Sequence, residues 1–353
     1  MSLWDEPNRG RHHFARQLSQ NNKVIWINRK LDRTDEPNRF IGFELINSNL
    51  LVLHTGMSFF PNIFPRKLDE YLNINNTLRL KILNRYLKEK DIKPDLIWIY
   101  DYKAIKIASF FRHKCKTLYF CNDFFGKLAG KYECKLIKSV DFVFSTDPRR
   151  QVFFTQYNSK SFFIPHGSWP VSEKPFFQKK NKPEIIGYIG TINDTLDTEI
   201  FSLILEKTDL RIIIAGPFSE CNKDRKVYFQ KLFQNKRVEY LGNLQKQEIE
   251  LTIKKIDICL LPYHSKVNGF PLKFFDYLSF GKPIFSTCFD FEWPSEFIKF
   301  LSFYNFNDDI NSFISELYDF WDFKFFNEAI LVSENSRWIN RVNEISHRLN
   351  LKL

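Results

Sequence analysis

The sequence predicts an α/β protein of two doubly wound, Rossmann-like domains, and three observations carry that expectation. Apolar runs of strand length alternate with helical patterns along the chain. The runs are apolar throughout, not at every second residue, as strands of a parallel sheet covered on both faces are. The alternation breaks once, at Ser168-Trp169-Pro170-Val171-Ser172-Glu173-Lys174-Pro175 and Gln178-Lys179-Lys180-Asn181-Lys182-Pro183, where periodicity gives way to prolines and charge. At 353 residues the chain has the length for two such domains.

In the first series the strand runs are 23–28, 50–55, 95–100, 116–121, 140–146 and 161–165, with helical stretches at 12–20 and 67–90. In the second they are 184–190, 210–216, 237–242, 257–263, 283–287 and 300–304, with helical stretches at 196–207 and 245–254. A last helix covers 333–349 and contains Trp338 and Arg341. These bounds divide the chain into a first domain over 1–167, a linker over 168–183, a second domain over 184–330 and a C-terminal segment over 331–353.

The net charge of +11 admits nucleic acid, an anionic membrane surface or anionic substrates as partners. No helix-turn-helix, zinc-finger or ribonucleoprotein signature is present, which argues against nucleic acid. The six cysteines are scattered without a Cys-x-x-Cys, and no histidines accompany them at metal-ligand spacing. That pattern fits a reducing cytoplasm, and no metal is expected. No signal peptide and no apolar run long enough to span a bilayer is found.

The most informative stretch runs from Val267 to Pro283 and reads Val267-Asn268-Gly269-Phe270-Pro271-Leu272-Lys273-Phe274-Phe275-Asp276-Tyr277-Leu278-Ser279-Phe280-Gly281-Lys282-Pro283. It lies between two apolar strand runs. Pro271 suits the first helical position and Gly281 the position just past a helix end. Lys273 and Asp276 then share one face, with Leu272, Phe275 and Leu278 turned to the sheet. A phosphate or pyrophosphate suits a helix start carrying a lysine, and Asp276 can accept hydrogen bonds from a ribose diol. The alternative is an incidental Lys–Asp pair on a solvated face. A second signal is Ile185-Ile186-Gly187-Tyr188-Ile189-Gly190-Thr191, a strand ending in a glycine loop. There Gly190 lets backbone N–H groups approach a phosphate, and Thr191 adds a hydroxyl. The loop is not Gly-x-Gly-x-x-Gly, which argues against a nicotinamide or flavin enzyme.

The 267–283 stretch resembles the donor-binding motif of GT-B glycosyltransferases, the group that includes bacterial cell-surface polysaccharide enzymes. Those enzymes often read Glu-x7-Glu followed by a small residue, Gly and Pro. Here the two acidic positions fall on Asn268 and Asp276, so the first lacks its carboxylate. The resemblance implies two Rossmann-like domains with an interdomain cleft, a C-terminal helix that crosses back to the first domain, and donor phosphates held by Lys273, Gly190 and Thr191. It also implies a ribose on Asp276, and a donor sugar near Asn268, Gly269 and Phe270.

Other residues are candidates by position. Arg11 and His13, in Gly10-Arg11-His12-His13 at a helix start, can meet an anion and a sugar hydroxyl; for either His12 or His13 the simpler reading is a packed or solvated ring. Asp123, in Tyr119-Phe120-Cys121-Asn122-Asp123, stands just past a strand end. It is a general-base candidate or a helix cap. His166, in Ile164-Pro165-His166-Gly167, lines the cleft or serves as a hinge. The aromatic and basic loop over 57–68 packs on the sheet or rests on a membrane.

The implied function is a metal-independent, hexosyltransferase-like enzyme that needs no cofactor. It would move a sugar from a nucleotide diphosphate sugar, UDP ahead of GDP, to a hydroxyl of a glycan or lipid-linked glycan. The expected location is the cytoplasm, with possible peripheral contact with an anionic membrane. The alternatives are a sugar-nucleotide epimerase of the same fold and a non-catalytic nucleotide-sugar-binding subunit.

Overall fold

The computed structural model describes residues 3–5, 9–29, 41–56, 74–122, 126–219, 221–267 and 269–353. The chain divides into two compact units: Met1–Pro165 with Trp338–Leu353, and His166–Arg337.

In the first unit, α1 (Gly10–Leu18) leads to β1 (Val24–Ile27), β2 (Ile41–Asn47) and β3 (Leu50–Thr55), then to α2 (Ile74–Glu89). There follow β4 (Leu96–Ile99), α3 (Ile105–Phe111), β5 (Lys116–Cys121), α4 (Gly126–Ser139), β6 (Phe142–Ser145), α5 (Pro148–Thr155) and β7 (Ser161–Phe163). Strands β4-β5-β6-β7 are parallel neighbours in that order. Strand β3 pairs in parallel with β1 and antiparallel with β2. The antiparallel β2 departs from the all-parallel expectation. Gly42 and Glu44 interrupt its apolar pattern, and within it Phe43 packs on Tyr86 of α2 with ring centroids 3.8 Å apart, while Ile41 and Leu45 stay exposed.

In the second unit, β8 (Ile185–Ile189), α6 (Thr198–Lys207), β9 (Arg211–Ala215), α7 (Lys223–Leu232), β10 (Val238–Tyr240), α8 (Lys246–Lys255) and β11 (Ile258–Leu261) alternate. They continue through α9 (Lys273–Leu278), β12 (Ile284–Thr287), α10 (Ser295–Ile298), β13 (Leu301–Tyr304), α11 (Ile310–Phe320) and α12 (Phe323–Asn335). All six strands are parallel, in the order β10-β9-β8-β11-β12-β13. Their burial on both faces explains the uninterrupted apolar runs: Ile212, Ile214, Ile258, Cys259, Leu260, Leu261, Ile284 and Phe285 have no exposed surface. Helix starts are fixed by short acceptors. Asp197, Asn222, Asp309 and Asp322 each take a backbone N–H of the first turn.

The segment expected as one helix over 333–349 is the end of α12 followed by α13 (Trp338–Leu349), with a break at Ser336 and Arg337. Helix α13 packs in the first unit: Trp338 lies edge-on to Phe14 of α1 at 4.9 Å and stacks on His13 at 5.1 Å. Residues 166–183 belong to the second unit; Ser168 bonds Ser333, and Ser172 N–H bonds Glu250.

Candidate functional site

The strand order of the second unit places its site. From β8 the chain moves outward through β9 to β10, then returns to the other side of β8 as β11 and moves through β12 to β13. The C-terminal ends of β8 and β11 are therefore the point where the winding reverses, the position at which open parallel sheets take ligands. Gly190 follows β8 directly, and the loop after β11 leads to Lys273 at the start of α9.

Helix α9 is locked to those two strands by Tyr277. The Ile189 N–H donates to the Tyr277 hydroxyl at 3.1 Å, and that hydroxyl reaches the Leu260 carbonyl at 3.4 Å. Phe274, Phe275 and Leu278 are buried beneath it, while Leu272 is half-buried. Gly281 takes φ +61°, the left-handed conformation that ends helices at glycine.

Lys273 is held by two phenols. Its Nζ donates to the Tyr263 hydroxyl at 3.0 Å and to the Tyr188 hydroxyl at 3.2 Å, and it lies 4.8 Å from the centroid of the Tyr188 ring. Burial disfavours its charge, but the electrostatic attraction of the two phenol oxygens, together with the hydrogen bonds to them, outweighs this and holds its pKa above the ordinary lysine value. Burial pushes the Tyr188 phenol up as well, so it remains neutral. Among the described residues no carboxylate lies within ion-pair distance of Lys273. The result is a fixed, charged ammonium at the switch point, without an ion-pair contact among the described residues.

Gly190 serves that ammonium in a way the sequence reading did not foresee. Its N–H is spent on the Ala215 carbonyl at 2.8 Å, continuing the β8–β9 ladder, so it is not offered to a phosphate. Its missing side chain is what matters: a Cβ there would lie 2.2 Å from Lys273 Nζ and 2.9 Å from the Tyr188 hydroxyl. Gly216, at φ +136°, allows the next strand end to close on Gly190, since a Cβ would stand 2.1 Å from the Gly190 oxygen. Thr191 is tied to the same cluster through its carbonyl, which accepts from the Tyr188 hydroxyl at 2.9 Å.

Asp276 stands one turn beyond Lys273, exposed to solvent. Neighbouring protein still removes enough water to push its carboxyl up to about 6, against the pull of Lys273 and Lys246. Lysine, glycine loop and aspartate are thus brought together within one unit.

Other candidates lie elsewhere. Phe270, expected near the donor sugar, is packed in the aromatic core. It is 5% exposed and packs against Phe274, Phe275, Phe291, Trp293 and Phe297 at 5.2–5.8 Å between centroids. The buried His166 meets its ring edge-on at 6.0 Å. Gly269 turns the chain beside it at φ +134°. In the first unit, Arg11 is buried. His12 is structural. Its Nδ1 accepts the Arg9 N–H at 3.0 Å, which leaves Nε2–H to donate to the Leu3 carbonyl at 3.0 Å. The adjacent His13 has its pKa lowered to about 3 by burial and by the charge of Arg16. It is neutral at physiological pH, and so weak a base is a poor proton acceptor. Asp123, Asn268 and the 57–68 loop lie outside the described residues.

Sequence reasoning passed over Tyr188, Tyr263 and Tyr277. Each sits in or beside an apolar run and reads there as a buried ring. The available signal was that a buried phenol needs a hydrogen-bond partner.

Residues 183–299 match the family Glycosyl transferases group 1. The putative teichuronic acid biosynthesis glycosyltransferase TuaH of Bacillus subtilis is 35% identical over 107 residues, 29% of this chain and 26% of that relative, so the match spans about a quarter of the relative's length. Sucrose-phosphate synthase from Thermosynechococcus elongatus shares the fold with a TM-score of 0.69 at 12% identity, over 95% of this chain and 90% of that one. The catalytic domain of starch synthase IV from Arabidopsis thaliana, solved with ADP and acarbose, does so with a TM-score of 0.66 at 10% identity, over 99% and 97%. The chain carries a glycosyl transferases group 1 domain, and its fold is GT-B.

Proposed function

We propose that this protein is a glycosyltransferase of surface polysaccharide synthesis, moving a sugar from a nucleotide diphosphate sugar to a hydroxyl of a glycan or lipid-linked glycan, with UDP ahead of GDP as the donor nucleotide. The observation that carries the reading is Lys273: an ammonium fixed by two phenols, without a carboxylate partner among the described residues, at the strand-end switch point of a family-matched domain. A diphosphate is the ligand such a charge suits. Asp276, one turn on, accepts from the ribose hydroxyls. In the transfer, the acceptor oxygen bonds the anomeric carbon while the bond from that carbon to the diphosphate oxygen breaks. The leaving charge stays on the diphosphate beside Lys273. In an inverting enzyme the acceptor proton passes to Asp123. Because Lys273 supplies the positive charge, we assign the reaction no divalent metal and no cofactor.

No helix among the described residues is long and apolar enough to cross a membrane. The net charge of +11 supports peripheral contact with an anionic surface. The test is incubation with radiolabelled UDP- and GDP-sugars, a cell-envelope fraction as acceptor, and EDTA in one arm. Label transferred to glycan in both arms supports the reading. A sugar isomerised with donor alone would make the protein an epimerase, and a donor bound but never consumed would make it a binding subunit.

A further inference from the structure

We infer that Tyr263 is a second phosphate-binding residue, whose phenol O–H donates to the bound anion beside the free N–H of Lys273. This rests on the reading of the site as one for a nucleotide diphosphate. The argument is hydrogen accounting. An ammonium has three protons, and a phenol has one proton together with its acceptor lone pairs. Two protons of Lys273 go to the oxygens of Tyr188 and Tyr263. Each phenol must then place its own hydrogen. Tyr188 gives its hydrogen to the Thr191 carbonyl at 2.9 Å. The hydrogen of Tyr263 has no acceptor among the described residues.

The two phenols therefore differ in kind. Tyr188 spends its hydrogen on the glycine loop and cannot give it to a ligand. Tyr263 accepts from a charged donor, which polarises its O–H and strengthens it as a donor in turn. Its oxygen lies 3.0 Å from Nζ, so one N–H and one O–H start side by side, spaced to meet one phosphate group. The backbone fixes it there: the Tyr263 N–H bonds the Leu261 carbonyl at 3.1 Å, the Thr287 hydroxyl bonds the Tyr263 carbonyl at 2.5 Å, and the ring abuts Phe289 at 5.4 Å. The residue as a whole is 9% exposed. A polarised phenol supplies a donor without a second charge.

The experiment is a two-by-two binding cycle, Tyr263→Phe with and without Lys273→Met. Titration of UDP and GDP followed by 31P NMR reaches millimolar dissociation constants, and uridine and guanosine are followed by proton NMR. Tyr263→Phe should weaken the bound diphosphate about tenfold or more, the scale of one charge-assisted hydrogen bond, with the nucleoside unchanged. In the Lys273→Met background the same change should still cost several-fold. No further loss there would mean that Tyr263 acts only through Lys273, which overturns the inference. Equal loss for nucleoside and diphosphate would do the same. Wild-type protein that binds neither diphosphate would instead overturn the nucleotide reading itself. Melting temperatures of the variants confirm that each is folded.

Discussion

Gly190→Ala tests the geometry of the ammonium without touching it. A Cβ at Gly190 lands 2.2 Å from Nζ and 2.3 Å from Cε of Lys273, and ordinary contact begins near 3.4 Å, so the amine must retreat by about 1.2 Å. The obstacle is the far end of a flexible side chain, and Gly190 does not have a left-handed φ, so the fold tolerates alanine. The bonds to Tyr263 and Tyr188, now 3.0 and 3.2 Å, do not both survive such a move. An ammonium released from its phenols no longer meets the diphosphate in a fixed position, at a cost of about 1.5–3 kcal/mol, or roughly 10- to 100-fold in affinity. Calorimetric titration with the diphosphate that the wild type binds, with the matching nucleoside as control, reads this directly. Wild-type affinity for the diphosphate in a folded Gly190→Ala protein would refute the reasoning.

Asp276 makes donor binding pH-dependent. Its carboxyl, raised from 3.8 to about 6, loses its charge as pH falls through about 6, so affinity for a nucleotide diphosphate sugar should drop there. Asp276→Asn should bind weakly and without that slope; the intact sugar nucleotide is the right probe, because its phosphates do not titrate in that range. The raised value also means that the folded chain resists ionisation more than the unfolded one. The Asn variant should therefore gain stability relative to wild type as pH rises from about 4 to about 6 and keep that gain above it, read by urea denaturation at pH 4 and pH 7. Asp123→Asn should cut turnover by about 10²–10⁴-fold with donor affinity intact if the product is inverted; a retained anomeric signal in proton NMR, or full activity in the variant, rejects the role. Phe270→Ala should cost about 3–5 kcal/mol in chemical denaturation, because the ring sits among five others. A lower affinity for the donor sugar without that loss of stability would return Phe270 to the site.

The parts of the fold that were legible are those where burial on both faces leaves an unbroken apolar run. Strands β8 to β13 lie inside the stretches read as strands; β8, β9, β11 and β12 are buried along nearly their whole length, while the edge strand β10 keeps Glu239 exposed. Strand β2 was not legible: it is an exposed antiparallel edge, with Gly42 and Glu44 breaking its pattern. The site was half legible. Lys273 and Asp276 are three residues apart, so helical spacing alone puts them together. The phenols that hold Lys273 come from positions 188 and 263, and only the sheet order brings those strand ends to one point. Gly190 was read as the residue that lets backbone N–H groups approach a phosphate; the space its missing Cβ leaves is taken up by the end of Lys273, which only the folded chain shows. The resemblance puts Phe270 near the donor sugar, and the folded chain packs its ring in the aromatic core.

The central claim is that the second unit takes a nucleoside diphosphate through Lys273. It is tested most directly by melting the wild-type protein and Lys273→Ala against UDP, GDP, ADP and CMP. A ligand that binds only the folded chain stabilises it by about 2.7 kcal/mol at a hundred times its dissociation constant. The account predicts a rise in melting temperature with one nucleoside diphosphate in the wild type and little or none in the variant. A wild-type protein that melts at the same temperature with all four, or a variant that responds as the wild type does, would contradict it.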